Sequence, residues 1–249
     1  MNRTLEAMAQ AIFKSWFVDF DPVVAKAEGR QPYGMNAETA ALFPAVFVDS
    51  ELGAIPKGWR VAPAGVMVSA VGGTTPSTGN PAFWEGGTIP WATPKDLASL
   101  SDPVLLDTDR KITQEGLKQI SSGLLPAGTL LMSSRAPVGY LAISEIPVAI
   151  NQGFIAMICN KGVPSEYVLQ WLRENMEVIV SHANGTTFLE ISKTSFRAIP
   201  ALMPPEPLLN QYAEIAGKLH RMMVENLRQT KTLASIRDTL LPRLLSGEV

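Results

Sequence analysis

The C-terminal part of the chain carries a helical pattern that constrains its fold more than any other feature. From about Pro207 to Leu245, apolar residues recur at alternating spacings of three and four, as they do along the seam of a coiled coil. An amphipathic helix packed on its own domain would explain the apolar stripe equally well, but not its length. The pattern therefore predicts a long projecting helix, with the seam Tyr212, Ile215, Leu219, Met222, Asn226, Gln229, Leu233, Ile236 and Leu240.

Two polar residues interrupt this seam. Asn226 and Gln229 stand where the spacing calls for apolar side chains. A polar residue at a seam position lowers stability but fixes the register, because it is satisfied only opposite a suitable partner. We therefore expect this pair to select one register of helix pairing.

The N-terminus repeats the same pattern over a shorter length, with Leu5, Met8 and Ile12 as its seam residues. Seven positions align without a gap with the end of the long helix and share a Thr-Leu start: Thr4, Leu5, Met8, Ile12, Phe13, Trp16 and Phe17 with Thr232, Leu233, Ile236, Leu240, Leu241, Leu244 and Leu245. The match indicates helices related by a repeat, although two amphipathic helices can match at this level by chance. After Phe20, the prolines and glycines up to Gly34 predict an irregular crossing.

The middle of the chain alternates short apolar runs with turn residues. Strands are predicted at Thr129 to Met132, Ile146 to Ile150 and Phe154 to Ile158, and helices at Thr113 to Ser121 and Ser165 to Val180. The predicted fold class is α+β, a mixed globular domain with long helices. We divide the chain into a helix (1–22), a linker (23–50), a globular domain (51–205) and a C-terminal helix (206–249).

Composition narrows the class of protein. A chain of 249 residues with 46% hydrophobic and 18% charged residues can bury a sizeable core. Cys159 is the single cysteine and no stretch approaches the ~18 apolar residues of a membrane span, so we expect a cytoplasmic protein without a membrane segment. A net charge of -2 argues against binding nucleic acid by charge alone, unless a partner supplies positive charge.

The sequence carries no catalytic constellation. It has no phosphate-binding GxxxxGK[ST] loop, and the only histidines, His182 and His220, are far apart. The run from Asn80 to Phe83 is similar to the amine-holding motif of amino-methyltransferases, but its second proline and a glycine-rich cofactor loop are missing. Asp102 and Glu115 lack the further acidic residue and lysine of a nuclease site. We expect no catalytic residue, no metal and no cofactor in this chain.

The remaining polar residues lie on loops shaped by glycine and proline, from Thr74 to Asn80, Ser133 to Tyr140 and Asn184 to Lys193. Hydroxyls, amides and arginine forks match the hydrogen-bonding pattern of the DNA major groove, although each residue alone could be a solvated loop position. Gly72, Gly73 and Gly185 are expected to permit positive φ. The DNA-binding candidates are Thr75, Ser77, Thr78, Asn80, Lys95, Ser133, Arg135, Tyr140, Asn184, Thr186, Thr187 and Lys193.

Four blocks together resemble the specificity subunit of type I restriction-modification systems. They are GGTTPSTGNPAFWEGGTIPWATPKDL at 72–97, GLLPAGTLLMSSR at 123–135, AINQGF at 149–154 and NGTTFLEISKTSFRAIPALMPPEPLLNQYAEI at 184–215. The N-terminal helix is similar to the one that precedes the second recognition domain of such subunits. By this resemblance the first block begins a target recognition domain, in which Trp84 and Trp91 pack the loop rather than stack on bases, because duplex bases are already stacked.

The resemblance implies a function as well as a fold. A full subunit carries two target recognition domains, each reading half of a bipartite DNA site, with conserved helices packed as an antiparallel spacer. The helices bind methyltransferase subunits, which hold S-adenosylmethionine and methylate adenine. This chain carries one recognition domain and so resembles a half-subunit that recognises duplex DNA without catalysis. Its implied partners are DNA, the methyltransferase and restriction subunits, and a second copy paired through the helices. The alternative is an assembly or adaptor protein that does not bind DNA.

Overall fold

A computed structural model describes residues 1–185 and 189–246. A helix at each end of the chain flanks a mixed globular part in the sequence. The α-helices of the described residues are α1 (Asn2–Phe17), α2 (Asp21–Ala27), α3 (Ala37–Ala41), α4 (Pro94–Ala98), α5 (Gln114–Leu117), α6 (Ser165–Glu174), α7 (Met176–Ser181), α8 (Lys193–Ala198) and α9 (Glu206–Ser246).

The strands in the described residues are short and form four sheets. They are β1 (Phe47–Ser50), β2 (Gly53–Pro56), β3 (Arg60–Pro63), β4 (Ser69–Val71), β5 (Ile89–Ala92), β6 (Val104–Leu105), β7 (Arg110–Ile112), β8 (Leu130–Ser134), β9 (Val138–Ser144), β10 (Ala149–Ile150), β11 (Phe154–Ile158) and β12 (Pro200–Met203). The largest sheet has the order β4-β11-β8-β9-β6, and a second has the order β10-β5-β7. β1 pairs with β2, and β12 pairs with β3.

The predicted strands are confirmed, and their apolar residues are buried: β8 and β11 lie inside the largest sheet, and β10 is an edge strand of the second. β11 has the predicted bounds, and β8 and β10 fall within or beside the predicted runs. The predicted helices are shorter than expected. The Thr113 hydroxyl caps α5, which spans little more than one turn. The second predicted helix is divided into α6 and α7 at Asn175, whose side chain donates to the Trp171 carbonyl.

The helices at the two ends of the chain pack antiparallel. Leu5 and Ala9 near the start of α1 contact Leu219 and Met223, whereas the end of α1 reaches back toward the first turns of α9. Phe13, Trp16 and Phe17 join Tyr167 and Tyr212 in an aromatic cluster with ring centroids 5.0–6.5 Å apart. These contacts anchor α9 to the globular part through its first half.

The prediction of a long helix is confirmed, and the contacts within the chain cover only part of the predicted seam. Met8 and Met222 are exposed, and Ala9 and Met223 are buried in their place. On α9, positions 212, 216, 219 and 223 share the buried face, at spacings of four, three and four. Tyr212, Leu219 and Leu5 are buried, and Ile12 and Ile215 are half-buried.

The register residue Asn226 has its partner within the chain. Its amide donates to the Asn2 side chain at 2.9 Å, and Asn2 in turn donates to the Met223 carbonyl. Gln229 is exposed and donates to Glu225, one turn earlier on the same helix. Asn226 therefore fixes the register of α1 on α9, and Gln229 makes no contact between helices.

The segment after Phe20 is not the irregular crossing that its prolines suggested. It forms α2, in which Pro22 stands at the start, where a proline removes no helical hydrogen bond. Val23 is buried in the main core, and the Lys26 ammonium donates to the carbonyls of Ala40 and Phe43. The beginning of the predicted linker is therefore a packed element.

Candidate nucleic-acid interface

The first predicted loop, residues 72–80, is held by two tryptophans. Trp84 donates its indole N–H to the Ser77 carbonyl at 3.0 Å, and Trp91 donates to the Thr74 carbonyl at 3.3 Å. The two rings meet edge to face, with centroids 5.0 Å apart. The prediction that these rings pack the loop is confirmed.

Gly73 lets this loop approach β10 closely. A Cβ at Gly73 would lie 1.9 Å from the Ile150 carbonyl oxygen, which accepts a hydrogen bond from the Thr74 N–H at 3.1 Å. Neither Gly72 nor Gly73 has a positive φ, so the prediction was wrong for these two glycines. Only Gly185 adopts the expected conformation, with φ at 133°. Space, not backbone conformation, requires glycine at position 73.

The turn between β10 and β11 connects the first loop to the second. The Thr75 hydroxyl donates to the side-chain carbonyl of Gln152 at 2.5 Å, and the Gly153 carbonyl accepts from the Ser134 N–H at 2.8 Å. Gln152 is exposed, so its amide N–H groups face solvent at the junction of the two loops.

The third loop completes this arrangement. Its Ile191 N–H donates to the Ser134 carbonyl at 3.0 Å, and the Glu190 carboxylate lies 3.6 Å from the Arg135 guanidinium. The Lys193 ammonium lies against Gly72 of the first loop, 2.8 Å from where a Cβ at Gly72 would stand. We call residues 72–80, 133–137, 151–153 and 190–193 the loop surface, since each of these segments contacts another.

Several candidate residues lie on this surface with accessible polar groups. Ser77, Thr78 and Lys193 are exposed, and Thr75 and Arg135 are half-buried. The half-buried Asn80 uses its side-chain oxygen to accept from the Ala82 N–H. Asn184 lies outside the loop surface as defined, but it is exposed and pairs through the backbone with Glu190 of that surface. Thr186 and Thr187 lie outside the described residues.

Three candidates are placed differently. Ser133 is fully buried: its hydroxyl donates to the Pro137 carbonyl at 2.7 Å and accepts from the Tyr140 N–H at 2.8 Å, so it stabilises the β8–β9 turn and does not face solvent. The Tyr140 side chain lines a groove with Glu6 and Arg173. Lys95 lies on α4, exposed and 3.3 Å from Asp109.

Sequence reasoning missed two exposed residues. Gln152 lies within the quoted block AINQGF, but nothing in the linear sequence marks it as the junction of two loops. Arg110 lies between Asp109 and Lys111 in a mixed-charge segment that resembles an ordinary solvated strand end. The structure instead places the Arg110 guanidinium over the Trp84 ring, 3.6 Å from its centroid.

The charges of the loop surface are only loosely paired. Both members of the Arg135–Glu190 pair are more than a third exposed, and such pairs contribute little to stability. Lys193 makes no ion pair among the residues that the structure describes. Within those residues no group of three or more His, Cys, Asp or Glu side chains could hold a metal ion. The arrangement therefore offers hydrogen-bonding groups and accessible positive charge.

These features are those of a DNA specificity domain. Residues 56–231 match the family of the type I restriction modification DNA specificity domain, and the chain belongs to this family. Specificity subunits are non-catalytic in type I systems, which agrees with the prediction that the chain is not itself an enzyme. In the described part of the chain, no helix has the length and apolar character needed to cross a membrane.

Two relatives illustrate the range of similarity. The chain is 33% identical over 192 residues to the type I restriction enzyme MjaIX specificity subunit of Methanocaldococcus jannaschii, an alignment covering 76% of this chain and 44% of the relative. It is 28% identical over 290 residues to the HindI specificity subunit of Haemophilus influenzae, covering 100% of this chain and 62% of the relative. The chain thus spans only part of the length of these relatives.

Solved structures support the fold. The S subunit of a type I restriction-modification system from M. genitalium aligns with a TM-score of 0.60 at 15% identity, covering 98% of this chain and 54% of that one. The HsdS subunit from Thermoanaerobacter tengcongensis aligns with a TM-score of 0.50 at 17% identity, covering 99% and 58%. The predicted α+β class with a long C-terminal helix is confirmed.

Proposed function

We propose that this chain recognises duplex DNA in a sequence-specific way and directs a type I adenine methyltransferase and restriction complex to one half of a bipartite site. One observation carries the proposal: three loops that are distant in sequence are joined by hydrogen bonds, the first two at the turn that carries the exposed Gln152 and the third through Ser134. Thr75 contacts the amide of Gln152 directly, and Ser134 binds the adjacent Gly153. Polar groups that come from separate loops and lie side by side on a scaffold of strands can together read base edges.

The exposed groups match distinct parts of DNA. A glutamine amide pairs with the N6 and N7 of adenine, and an arginine fork pairs with the O6 and N7 of guanine. The Lys193 ammonium suits a phosphate, which positions a protein on DNA without reading the sequence. A net charge of -2 supplies little general attraction for DNA, so we expect weak binding by the isolated chain and stronger binding beside a basic partner.

Methyl transfer belongs to a separate subunit in this proposal. S-adenosylmethionine is held by the methyltransferase subunit, and this chain contributes the choice of adenine and no cofactor. The restriction subunit joins the same complex, which works in the cytoplasm. The resemblance to subunits that operate in this way supports the assignment, and the two long helices offer the surface on which these partners assemble.

The test compares variants in the complex with a methyltransferase subunit. Gln152→Ala is expected to weaken binding to the recognised duplex by about tenfold or more, because a bidentate base contact is lost. Lys193→Ala is expected to weaken binding to all sequences similarly and to reduce the salt dependence. Fluorescence anisotropy over a salt series measures both effects, and gel filtration checks that the complex still assembles.

Gln31→Ala and Lys57→Ala are matched controls, because both side chains are exposed outside the loop surface. They should bind DNA as the unchanged protein does. A complex that methylates adenines regardless of their sequence context would contradict the proposal.

The exposed half of α9 favours a second role for the chain, in the assembly of the complex. In the adaptor alternative, assembly is the only role of the chain. Replacing Arg135 and Lys193 together by alanine separates the two functions. If the chain recognises DNA, methylation of the target falls while the complex still forms. If the chain is only an adaptor, no specific DNA binding exists to lose, and the double variant leaves methylation unchanged.

We further infer that two copies of this chain pair through their helices and present two recognition domains in opposite orientation. The observation behind this inference is the apolar stripe on the second half of α9, where Leu233, Ile236 and Leu240 are 66%, 48% and 41% exposed. An isologous pairing of two such helices would cover this stripe on both copies at once. The recognised site would then be an inverted repeat with a fixed spacer.

A further inference from the structure

Arg110 is placed by aromatic packing. Its guanidinium lies 3.6 Å from the centroid of the Trp84 ring and 5.4 Å from that of the Trp91 ring. On the β5–β7 ladder Arg110 is the direct cross-strand neighbour of Trp91. A guanidinium stacks flat on an aromatic face through cation–π attraction. The strand pairing thus fixes the backbone position of Arg110, and the contact with Trp84 fixes the position of its guanidinium.

The aromatic platform is itself fixed to the loop surface. Trp84 and Trp91 meet edge to face, and each donates its indole N–H to a carbonyl of the first loop. Trp84 also packs against a small buried cluster that contains Ile112 of β7. Arg110 is therefore held in a constant position relative to the loop of residues 72–80.

The guanidinium has no polar partner among the residues that the structure describes. In the described part of the chain its side chain makes no hydrogen bond and no ion pair, although two carboxylates lie nearby in sequence. Asp109 lies 3.3 Å from Lys95, and Asp107 is bound by Lys111 and approached by Lys231. Because other cations occupy these carboxylates, the exposed N–H groups of Arg110 remain available.

We propose that Arg110 is a further DNA-contacting residue, whose stacked, planar fork binds a pair of acceptor oxygen or nitrogen atoms on the duplex. This inference rests on the proposed DNA-recognition function. Guanine presents such a pair at O6 and N7, and a phosphate presents one through two oxygens. Holding the fork on Trp84 removes rotamer freedom before binding, so less entropy is lost when the contact forms.

The experiment measures DNA binding by the complex with a methyltransferase subunit, using the recognised duplex and a panel of its single-base-pair substitutions. Arg110→Ala is expected to lose about tenfold or more in affinity for the recognised duplex. Arg110→Lys keeps the charge but not the fork, and it should recover only part of this loss. Trp84→Leu removes the aromatic face and should weaken binding in the same direction.

The pattern of lost affinity across the duplex panel shows whether the acceptor atoms belong to a guanine or to a phosphate. If Arg110 reads a guanine, Arg110→Ala relaxes discrimination at one base pair; if it binds a phosphate, affinity falls uniformly and the salt dependence decreases. Arg60→Ala, which removes an exposed arginine of β3, is the control and should bind normally. Melting temperatures show whether each variant is folded.

The outcomes separate this inference from the function on which it rests. If the unchanged complex shows no sequence preference, the proposed function itself fails. If the unchanged complex is specific but Arg110→Ala binds equally well, only the role of Arg110 is overturned. If Arg110→Lys binds the recognised duplex as tightly as the unchanged protein does, the claim that the stacked fork makes the contact is overturned.

Discussion

At the scale of single residues, the loop surface depends on a close backbone approach at Gly73. A methyl group there would overlap the Ile150 carbonyl oxygen, and neither backbone can move without breaking the hydrogen bond from Thr74. Gly73→Ala is expected to cost about 1–3 kcal/mol of folding free energy, as overpacking does elsewhere, and to weaken DNA binding by displacing the loop. Urea denaturation measures the first effect and anisotropy the second.

Gly79 provides a control within the same loop. A Cβ at Gly79 would meet nothing within 4 Å, and its φ is not positive. Gly79→Ala should therefore leave stability unchanged or raise it slightly, because alanine restricts the unfolded chain. Equal destabilisation by the two substitutions would contradict the role given to the close approach at Gly73.

At the scale of elements, a hydrogen-bonded contact connects the globular part to the long helix. Glu145, which follows β9, lies 2.8 Å from the His220 ring nitrogen on α9, and Arg228 of the next turns is 3.9 Å away. The hydrogen bond from His220 holds the pKa of the Glu145 carboxyl below its ordinary value of 4.5. Since α9 is also the proposed spacer, this contact helps to fix the orientation of the recognition domain on it.

The lowered pKa predicts how the contact depends on pH. A carboxylate favoured in the folded state contributes stability above its unfolded pKa of about 4.5 and loses this contribution as the pH falls through the lower folded value. Glu145→Gln should therefore lower the melting temperature at neutral pH. The difference from the unchanged protein should shrink as the pH falls below the folded-state pKa of Glu145. Melting curves at a series of pH values measure this difference.

Glu214→Gln is the matched control for this experiment. The pKa of Glu214 is also lowered, by a hydrogen bond from Lys218 one turn along the same helix. Because this pair is exposed and connects no second element, its loss should change the melting temperature little. A larger effect from Glu214 than from Glu145 would refute the coupling between the turn and the helix.

At the scale of the whole molecule, the two halves of α9 differ in what covers them. The first half is buried by α1 and the globular part, and the second half exposes its apolar stripe. The double substitution of Leu233 and Ile236 by glutamate is expected to convert a dimer into a monomer without loss of folding, since both side chains are exposed in the single chain. Light scattering measures the mass, and the preference for an inverted-repeat site should disappear with the dimer.

Ser235→Glu is the control, because position 235 faces away from the apolar stripe and the same charge there should leave the dimer intact. Leu219→Glu is unsuitable for this test, since Leu219 is buried against α1 and the substitution would disturb the fold. A protein that is monomeric both alone and in its complex, and that recognises a single half-site, would contradict the pairing.

The sequence alone determined the elements whose signals are local. The stripe at spacings of three and four predicted α9, and the apolar run from Phe154 to Ile158 predicted β11, because burial of one helix face or of a whole strand leaves a regular period along the chain. The turn residues of the three segments likewise marked polar loops. Family membership followed from the order of four blocks, which is also a property of the linear sequence.

Only the tertiary structure decided which side chains these loops present. Ser133 has the same polar character as Ser77, yet it is buried because the turn after β8 encloses its hydroxyl, whereas Gln152 is exposed where distant loops meet. Arg110 acquires its position from a tryptophan that is distant in sequence. Such placements depend on contacts between residues far apart along the chain, and local periodicity carries no information about those contacts.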